Sequence, residues 1–494
     1  MGIAEENQFR PQGCFAPWVE PRVYGRFIGA VMSELACGRQ AKPSHESAVT
    51  RDIVPAVMDV AAIPSSAKSA STSPLTRNQI RGFWASWGGW TLDGMDSFIY
   101  ALVLVPSLRE LLPRSGIAAT KGNVGFYGGL LFALFLLGWG LAFLWGPVGD
   151  KFGRVRTLML TIVWYSVFTF LSAFVTNVWQ LAILRLLAGI GIGGEWAMGG
   201  TFVAEEWPEE RRRAGAGYMH TGYYVGICLA AIANYAVGSH YGWRMMFAVG
   251  GLPALLLAWV RHGVTEPERW KQKEGVVRSW KIWRPFAALF SKALRRRTIL
   301  NSLYMLVSIC GLWAGTVYVP AAATTLAEAA GRIGPLASQL ASRATMLVSF
   351  ATILGCLAMP WLAEKLGRRG ALELYFALML VFIAVTFGKV FYLGAAALPW
   401  FFACLFFLGF GGANFAVYTL WLPEQYPTEC RASAFAFSTS FARFAGAGIT
   451  FLVGAGVQRY GSLGMPVALT SIAFAIGLLL VPFGAETRGE CLPA

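Results

Sequence analysis

The chain has 494 residues, 56% of them hydrophobic and only 14% charged, with a formal net charge of +15. The apolar residues come in long blocks separated by short charged loops, which excludes a soluble multidomain protein and points to a polytopic helical membrane protein. The cations fall in alternate loops rather than on one face, so they orient the chain in a bilayer and make no case for nucleic acid.

Residues 1–78 differ from the rest: mixed polarity, Ser- and Ala-rich over 65–73, with Pro55, Pro64 and Pro74 as breakers. They read as a disordered cytoplasmic tail. Its apolar piece at 27–37 is too short to span and lacks a cleavage site, and Met58 offers an alternative start. An N-terminal half over 79–263 follows, with apolar segments at 82–106, 124–147, 157–176, 178–203, 214–237 and 243–262. A basic cytoplasmic linker occupies 264–298. The C-terminal half, 299–486, repeats the count at 299–322, 344–363, 371–390, 398–420, 432–456 and 463–483, and 487–494 forms a short cytoplasmic tail. The expected fold class is all-α, with twelve transmembrane helices in two six-helix, pseudo-symmetric halves.

Lys151, Arg154 and Arg156 follow segment two, 211–213 follow four, the linker follows six, and Lys365, Arg368 and Arg369 follow eight. By the positive-inside rule those loops and both termini face the cytoplasm of a cytoplasmic (inner) membrane. Arg109, Arg114 and Lys121 are exceptions on the other side.

Two acids, Asp93 and Asp96, lie inside the first segment, where each costs roughly 2.5–3.5 kcal/mol on insertion scales. Three residues apart, about 4.5 Å along a helix axis, they share a face. Two partly desolvated carboxylates that close do not readily carry two charges at once, which suits them to proton coupling. Segment four carries Arg185 and Glu195. Counted from the cytoplasmic ends at 1.5 Å per residue, Asp96 lies roughly 21 Å deep and Arg185 roughly 27 Å, so Arg185 is a candidate counter-ion of Asp96 as well as a substrate ligand. Asp93 and Glu195 share a depth of roughly 12–17 Å, and Glu195 is a further candidate for substrate binding. Arg443 in segment eleven has no acid nearby on its own segment. It would bind a substrate carboxylate bidentately, or pair with Asp93 across the halves. Tyr223, Tyr224 and His220 on segment five, Tyr304 on seven, and Asn414 and Tyr418 on ten would supply hydrogen bonds and aromatic walls, with Tyr223 and Asn414 as substrate contacts.

An internal repeat links the halves. Gly146-x-x-x-Asp150-Lys151-x-Gly153-Arg154-x-Arg156 recurs as Pro360-x-x-x-Glu364-Lys365-x-Gly367-Arg368-Arg369, and Glu195, Glu205, Pro208 and Arg212 align with Asn414, Glu424, Pro427 and Arg431. The first of these loops resembles the signature between helices two and three of the major facilitator superfamily. Arg185-x-x-x-Gly189-x-Gly191-x-Gly193-Gly194 is similar to that superfamily's helix-four motif. The resemblance covers about residues 82–488. Within the superfamily, Trp90-Thr91-Leu92-Asp93, Gly193-Gly194-Glu195-Trp196 and Leu422-Pro423-Glu424-Gln425-Tyr426-Pro427 look like the organic-acid proton symporters. Asp93-Gly94-x-Asp96 is similar to the aromatic-acid branch, and the Trp-Thr-Leu-Asp context is closer to the sialate and lactate branch.

This resemblance implies a gating network of Gly146, Asp150, Gly153, Arg154, Glu205, Arg212, Glu424 and Arg431 at the cytoplasmic ends, which holds the outward-open state. Pro360 in place of Gly146, and Glu364 in place of Asp150, depart from a symmetric latch, and the long tail has no counterpart. Eight scattered cysteines with no Cys-x-x-Cys pair and four histidines support neither disulfides nor a metal site. Without a nucleotide-binding loop or a nucleophile set, the chain is expected to be no enzyme and to use no cofactor beyond a proton gradient. The expectation is a secondary active transporter, monomeric, that takes up a small carboxylate with protons by alternating access. The alternatives are uptake of a sugar or polyol, export of a toxic organic compound, or a transporter-like nutrient sensor that signals through the tail.

Overall fold

The computed structural model describes residues 75–251, 265–267, 270–272, 284–314, 316–490 and 492–493. The expected tail up to residue 74, the end of the sixth segment and most of the basic linker lie outside these residues. The helices are α1 (Arg77–Arg114), α2 (Lys121–Phe152), α3 (Arg154–Phe174), α4 (Val178–Glu206), α5 (Arg211–Tyr241) and α6 (Trp243–Val249) in the first half. The second half holds α7 (Arg295–Ala314, resumed as Val319–Ala329), α8 (Pro335–Lys365), α9 (Gly367–Tyr392), α10 (Ala397–Gln425), α11 (Arg431–Tyr460) and α12 (Gly464–Phe483). Each starts or ends within several residues of an expected segment. The architecture is all-α, built from twelve membrane helices in two six-helix halves. Nine of these, among the described residues, are long and apolar enough to cross a bilayer by themselves. α1, at 38 residues and roughly 57 Å, has the length but carries the two acids.

Polar caps place the helix starts. A capping box sets α1 at Arg77, inside the expected tail: Thr76 Oγ1 accepts from Gln79 N at 3.2 Å and Gln79 Oε1 accepts from Thr76 N at 2.9 Å. α8 begins at Pro335, well before the expected 344, because its first turns are polar enough to hide from a hydropathy count while Pro at the start favours a helix.

Close helix crossings depend on glycine. A Cβ on Gly94 would strike the carbonyl of Tyr223, and one on Gly226 the carbonyl of Thr91, so α1 and α5 meet backbone to backbone. Gly138 and Gly189 bring α2 onto α4 in the same way, and Gly129 lies against Gly454 where α2 meets α11. Large apolar side chains such as Leu137, Leu160, Phe174, Trp179, Leu452 and Leu479 stand exposed on the outside, as a lipid-facing surface requires.

The departure from a symmetric latch has a packing explanation. Gly146 at the end of α2 lies 3.0 Å, by its missing Cβ, from Ser433 Cα and Ala436 Cβ of α11. Where the second half has the bulkier Pro360, the glycine has moved to the facing helix: a Cβ on Gly217 of α5 would lie 2.8 Å from Pro360 Cγ. The two contacts between the halves are thus equally close with the small residue on opposite partners.

Gly153 and Gly367 occupy matching loops with φ of 112° and 78°. Each lies against a carboxylate that caps the next helix. Glu266 accepts from the backbone N–H of Arg154, Val155 and Arg156, and Glu486 from those of Arg368 and Arg369. Gly153→Ala would add both a positive-φ penalty and a collision with Glu266, a cost of about 1–3 kcal/mol. A lower melting temperature of the purified protein is the expected result.

Candidate functional site

α1 carries Asp93 and Asp96 into the middle of the molecule, where both are fully buried. The Gly94–Tyr223 and Gly226–Thr91 crossings hold this stretch against α5, and Gly89, one turn earlier, leaves room for another acid. A Cβ at Gly89 would sit 2.8 Å from Glu195 Oε2 of α4. Asp93 consequently faces Glu195 and Asp96 as like charges and Arg443 of α11 as the opposite one. Asp96 faces Arg185 and Thr169. No donor among the described residues makes a well-formed hydrogen bond to either aspartate or to Glu195, although Tyr165 lies beside Glu195.

The two arginines are held differently. Arg185 donates to Thr169 Oγ1 at 3.0 Å and Ser172 Oγ at 3.1 Å, with its guanidinium 4.9 Å from the Phe247 ring centroid. It sits wholly among residues of the first half. Arg443 comes from the second half and crosses to the first: its guanidinium lies 3.9 Å over the Trp139 ring, beside Tyr223 and Asp93. It donates to the carbonyl of Thr439 one turn back, while its Nε is unpaired. A rigid, ring-backed guanidinium with open donors can take a carboxylate.

An aromatic wall surrounds this cluster. Trp90 stacks on Trp196 at 5.4 Å and lies 4.7 Å from Tyr223, and His220 lies 5.3 Å from Trp196. The wall continues into the second half through Phe415 and Phe435, at 6.0 and 5.2 Å from Trp196. Three hydrogen bonds cross between the halves here. Trp196 Nε1 donates to Thr419 Oγ1 at 3.1 Å, Thr419 Oγ1 pairs with His220 Nδ1 at 3.2 Å, and Tyr224 Oη donates to Gly412 O at 3.0 Å. Asn414 is buried and donates to Gly411 O on its own helix; no hydrogen bond brings it to the charged groups. Tyr304 and Tyr418 bond within the second half, away from the cluster.

At the end bearing the basic loops the halves are locked together. Arg154 pairs with Asp150 at 3.1 Å and Glu205 at 3.3 Å, and Glu205 also meets Arg431 of the second half at 3.5 Å. Asp150 Oδ2 accepts from Ser433 N and Oγ at 3.1 and 2.5 Å, and Arg213 pairs with Glu364. The second half repeats the inner pair: Arg368 meets Glu424 through Nη2 at 2.7 Å and Nε at 3.0 Å. Arg212 instead donates to Ala204 O at 3.2 Å, anchoring the turn between α4 and α5. At the opposite end a cavity of about 300 Å3 opens between the halves, lined by residues of α1, α2, α7 and the end of α11.

The sequence identified the charged members of the cluster and, of its rings, Tyr223, Tyr224 and His220, but not Trp90, Trp139, Trp196, Phe415 or Phe435. Trp90 and Trp196 carry a usable signal, since each sits within one turn of a buried acid, whereas Trp139 lies in an unbroken apolar run. Glu266 and Glu486 were also missed, although each closely follows the last span of its half. The final residues belong to the lock as well: Thr487 Oγ1 donates to Glu424 at 2.5 Å and Arg431 Nη2 to Pro493 O at 2.7 Å.

Comparisons with known proteins agree with this architecture. The family model for the Major Facilitator Superfamily matches residues 87–450. A probable 4-methylmuconolactone transporter of Cupriavidus pinatubonensis is 29% identical, the match covering 83% of this chain and 91% of the relative. The sialic acid transporter NanX of Escherichia coli is 25% identical over 83% of this chain and 95% of its own. Among solved structures, the proton:xylose symporter XylE superposes with a TM-score of 0.67 at 19% identity, covering 84% of this chain and 98% of that one. The twelve-helix duplicated fold and the matched family model together establish that this chain belongs to the Major Facilitator Superfamily and is an integral membrane transport protein rather than an enzyme.

Proposed function

We propose that the protein is a proton-coupled symporter that imports a small organic acid across the cytoplasmic membrane by alternating access, with both termini in the cytoplasm. The observation that carries this reading is the sealed cluster of Asp93, Asp96 and Glu195 beside Arg185 and Arg443, each no more than 2% exposed. With every group ionised, three carboxylates would face two guanidinium groups in a region closed to water. An uncompensated buried charge is strongly destabilising, so the closed cluster holds a proton on its acids. A substrate carboxylate that joins Arg443 adds one more negative charge and calls for one more proton, which couples the two. The relatives' names support an acidic substrate, since one of them is a sialic acid transporter. The structural neighbour, described as a proton:xylose symporter, supports coupling to protons.

With the basic loops in the cytoplasm, the ion-pair lock closes the inner end and the cavity opens outward. Import then requires the Arg431–Glu205 and Asp150–Ser433 contacts to separate. Glu205→Gln removes the carboxylate shared by Arg154 and Arg431, and loss of one partner in a buried pair costs about 3–5 kcal/mol. The expected result is a population shift toward the inward-open state. Labelling of a cysteine introduced at Ser433 from the cytoplasmic side should rise, and uptake should fall. The function itself is tested by uptake of labelled aromatic and aliphatic acids into vesicles under an imposed pH gradient, and accumulation that ignores the gradient would overturn it.

A further inference from the structure

Arg109 and Lys121 run against the orienting charge of the other loops, and orientation alone gives no reason for cations at that end. Both line the cavity of about 300 Å3 that opens there, at the low end of the size range of small-molecule sites. Arg109 reaches across to Glu328 of the other half at 3.7 Å, a loose pair with side chains 56% and 34% exposed. Lys121 has no acid partner among the described residues. Between these charges the wall is apolar: Val457 and Leu104 pack over Gly125 and Gly128, where a Cβ would meet them at 3.0 and 3.1 Å. The floor is Leu104 and Tyr318, and Tyr318 lies close to Tyr100, which in turn neighbours Arg185. The cavity therefore combines a cationic rim, an apolar wall and a floor connected through Tyr318 and Tyr100 to Arg185.

We propose that this cavity is a capture site for the substrate anion, a small carboxylate with a flat apolar body such as a single ring. Lys121 and Arg109 hold the carboxylate, and the ring lies against the apolar wall of Leu104, Val124 and Val457. Glu328 occupies Arg109 until the anion displaces it, so the loose pair between the halves acts as a placeholder. The capture raises the local anion concentration above the closed floor and feeds Arg443 when the floor opens. This inference rests on the proposed uptake of an organic acid and on its orientation.

The test uses the full-length protein in right-side-out membrane vesicles, with labelled nicotinate and gallate as single-ring carboxylates and uptake followed at low and high ionic strength. Lys121→Gln and Arg109→Gln are each expected to raise the outer KM about tenfold at low salt, with kcat changed less than twofold. The wild-type KM should climb with salt, and those of the two variants, each keeping one of the cations, should climb less. Lys121→Arg should restore the wild-type value, and Glu328→Gln should lower KM by removing the competitor of the anion. KM values that stay unchanged in both cation variants, or a Glu328→Gln that raises KM, would overturn the capture site. Loss of the pH-gradient response in the wild type would instead overturn proton coupling and leave the KM comparison standing, so the two failures are distinguishable.

Discussion

Asp93→Asn is expected to abolish concentrative uptake while leaving exchange of substrate across the membrane measurable. One pH unit is worth about 1.4 kcal/mol, so with one proton per monoanion a two-unit gradient supports about hundredfold accumulation. Asp93 is the acid that meets both the other half, through Arg443, and a second carboxylate, Glu195, so in the proposed cycle its proton is the one whose presence would change when the halves part. The neutral Asn preserves shape but cannot exchange a proton. In vesicles with an imposed gradient, accumulation should collapse from that level to equilibration. Preserved, gradient-sensitive accumulation would remove Asp93 from the coupling role. Asp96→Asn should behave differently, because Asp96 faces Arg185 within a single half. Its loss leaves a buried guanidinium uncompensated, at about 3–5 kcal/mol. The yield of folded protein should fall and recover in the Asp96→Asn/Arg185→Met double variant. Recovery of yield without coupling would place Asp96 with Asp93 in proton transfer.

The second large effect is expected at Arg443. Its guanidinium lies on the Trp139 ring with Nε open, so it is both fixed and available. Truncating one partner of a buried charge pair costs about 2–5 kcal/mol, which at the lower bound is already roughly thirtyfold in affinity. Arg443→Gln should raise KM for carboxylates by that factor or more, and uptake should no longer distinguish a carboxylate from its amide. Arg443→Lys should recover little, because an ammonium has neither the planar fork nor the flat face that the indole supports. If Arg443→Gln kept its preference for the acid, the residue would be a structural tie to Asp93 rather than a substrate ligand.

The aromatic wall bears on both predictions. Trp90, Trp196, Tyr223 and Phe415 connect the acids of α1 and α4 with helices of the second half, so under the proposed coupling a change in protonation at Asp93 would reach the surface where the halves meet. At the basic-loop end Glu205 serves Arg154 within its own half and Arg431 across the divide. Two contacts that cannot both persist when the halves rock are what alternating access requires.

The sequence by itself determined the helices, their division into two halves and the residues that carry charge into the bilayer, because hydropathy and helical period are local properties. It also placed Asp93 level with Glu195 and Asp96 near the depth of Arg185, since rise per residue converts position into depth. Depth does not say which helices touch. That was decided by crossings such as Gly94 on Tyr223, Gly226 on Thr91 and Gly129 on Gly454, which bring together helices far apart in the chain. Only the tertiary structure therefore set Arg443 between Asp93 and the Trp139 ring, confined Arg185 to Asp96 and its own half, and moved the small residue from Gly146 in one contact to Gly217 in the other. The physical reason is that a buried charge is settled by the groups facing it from every packed helix, and the sequence of one helix records only its own side.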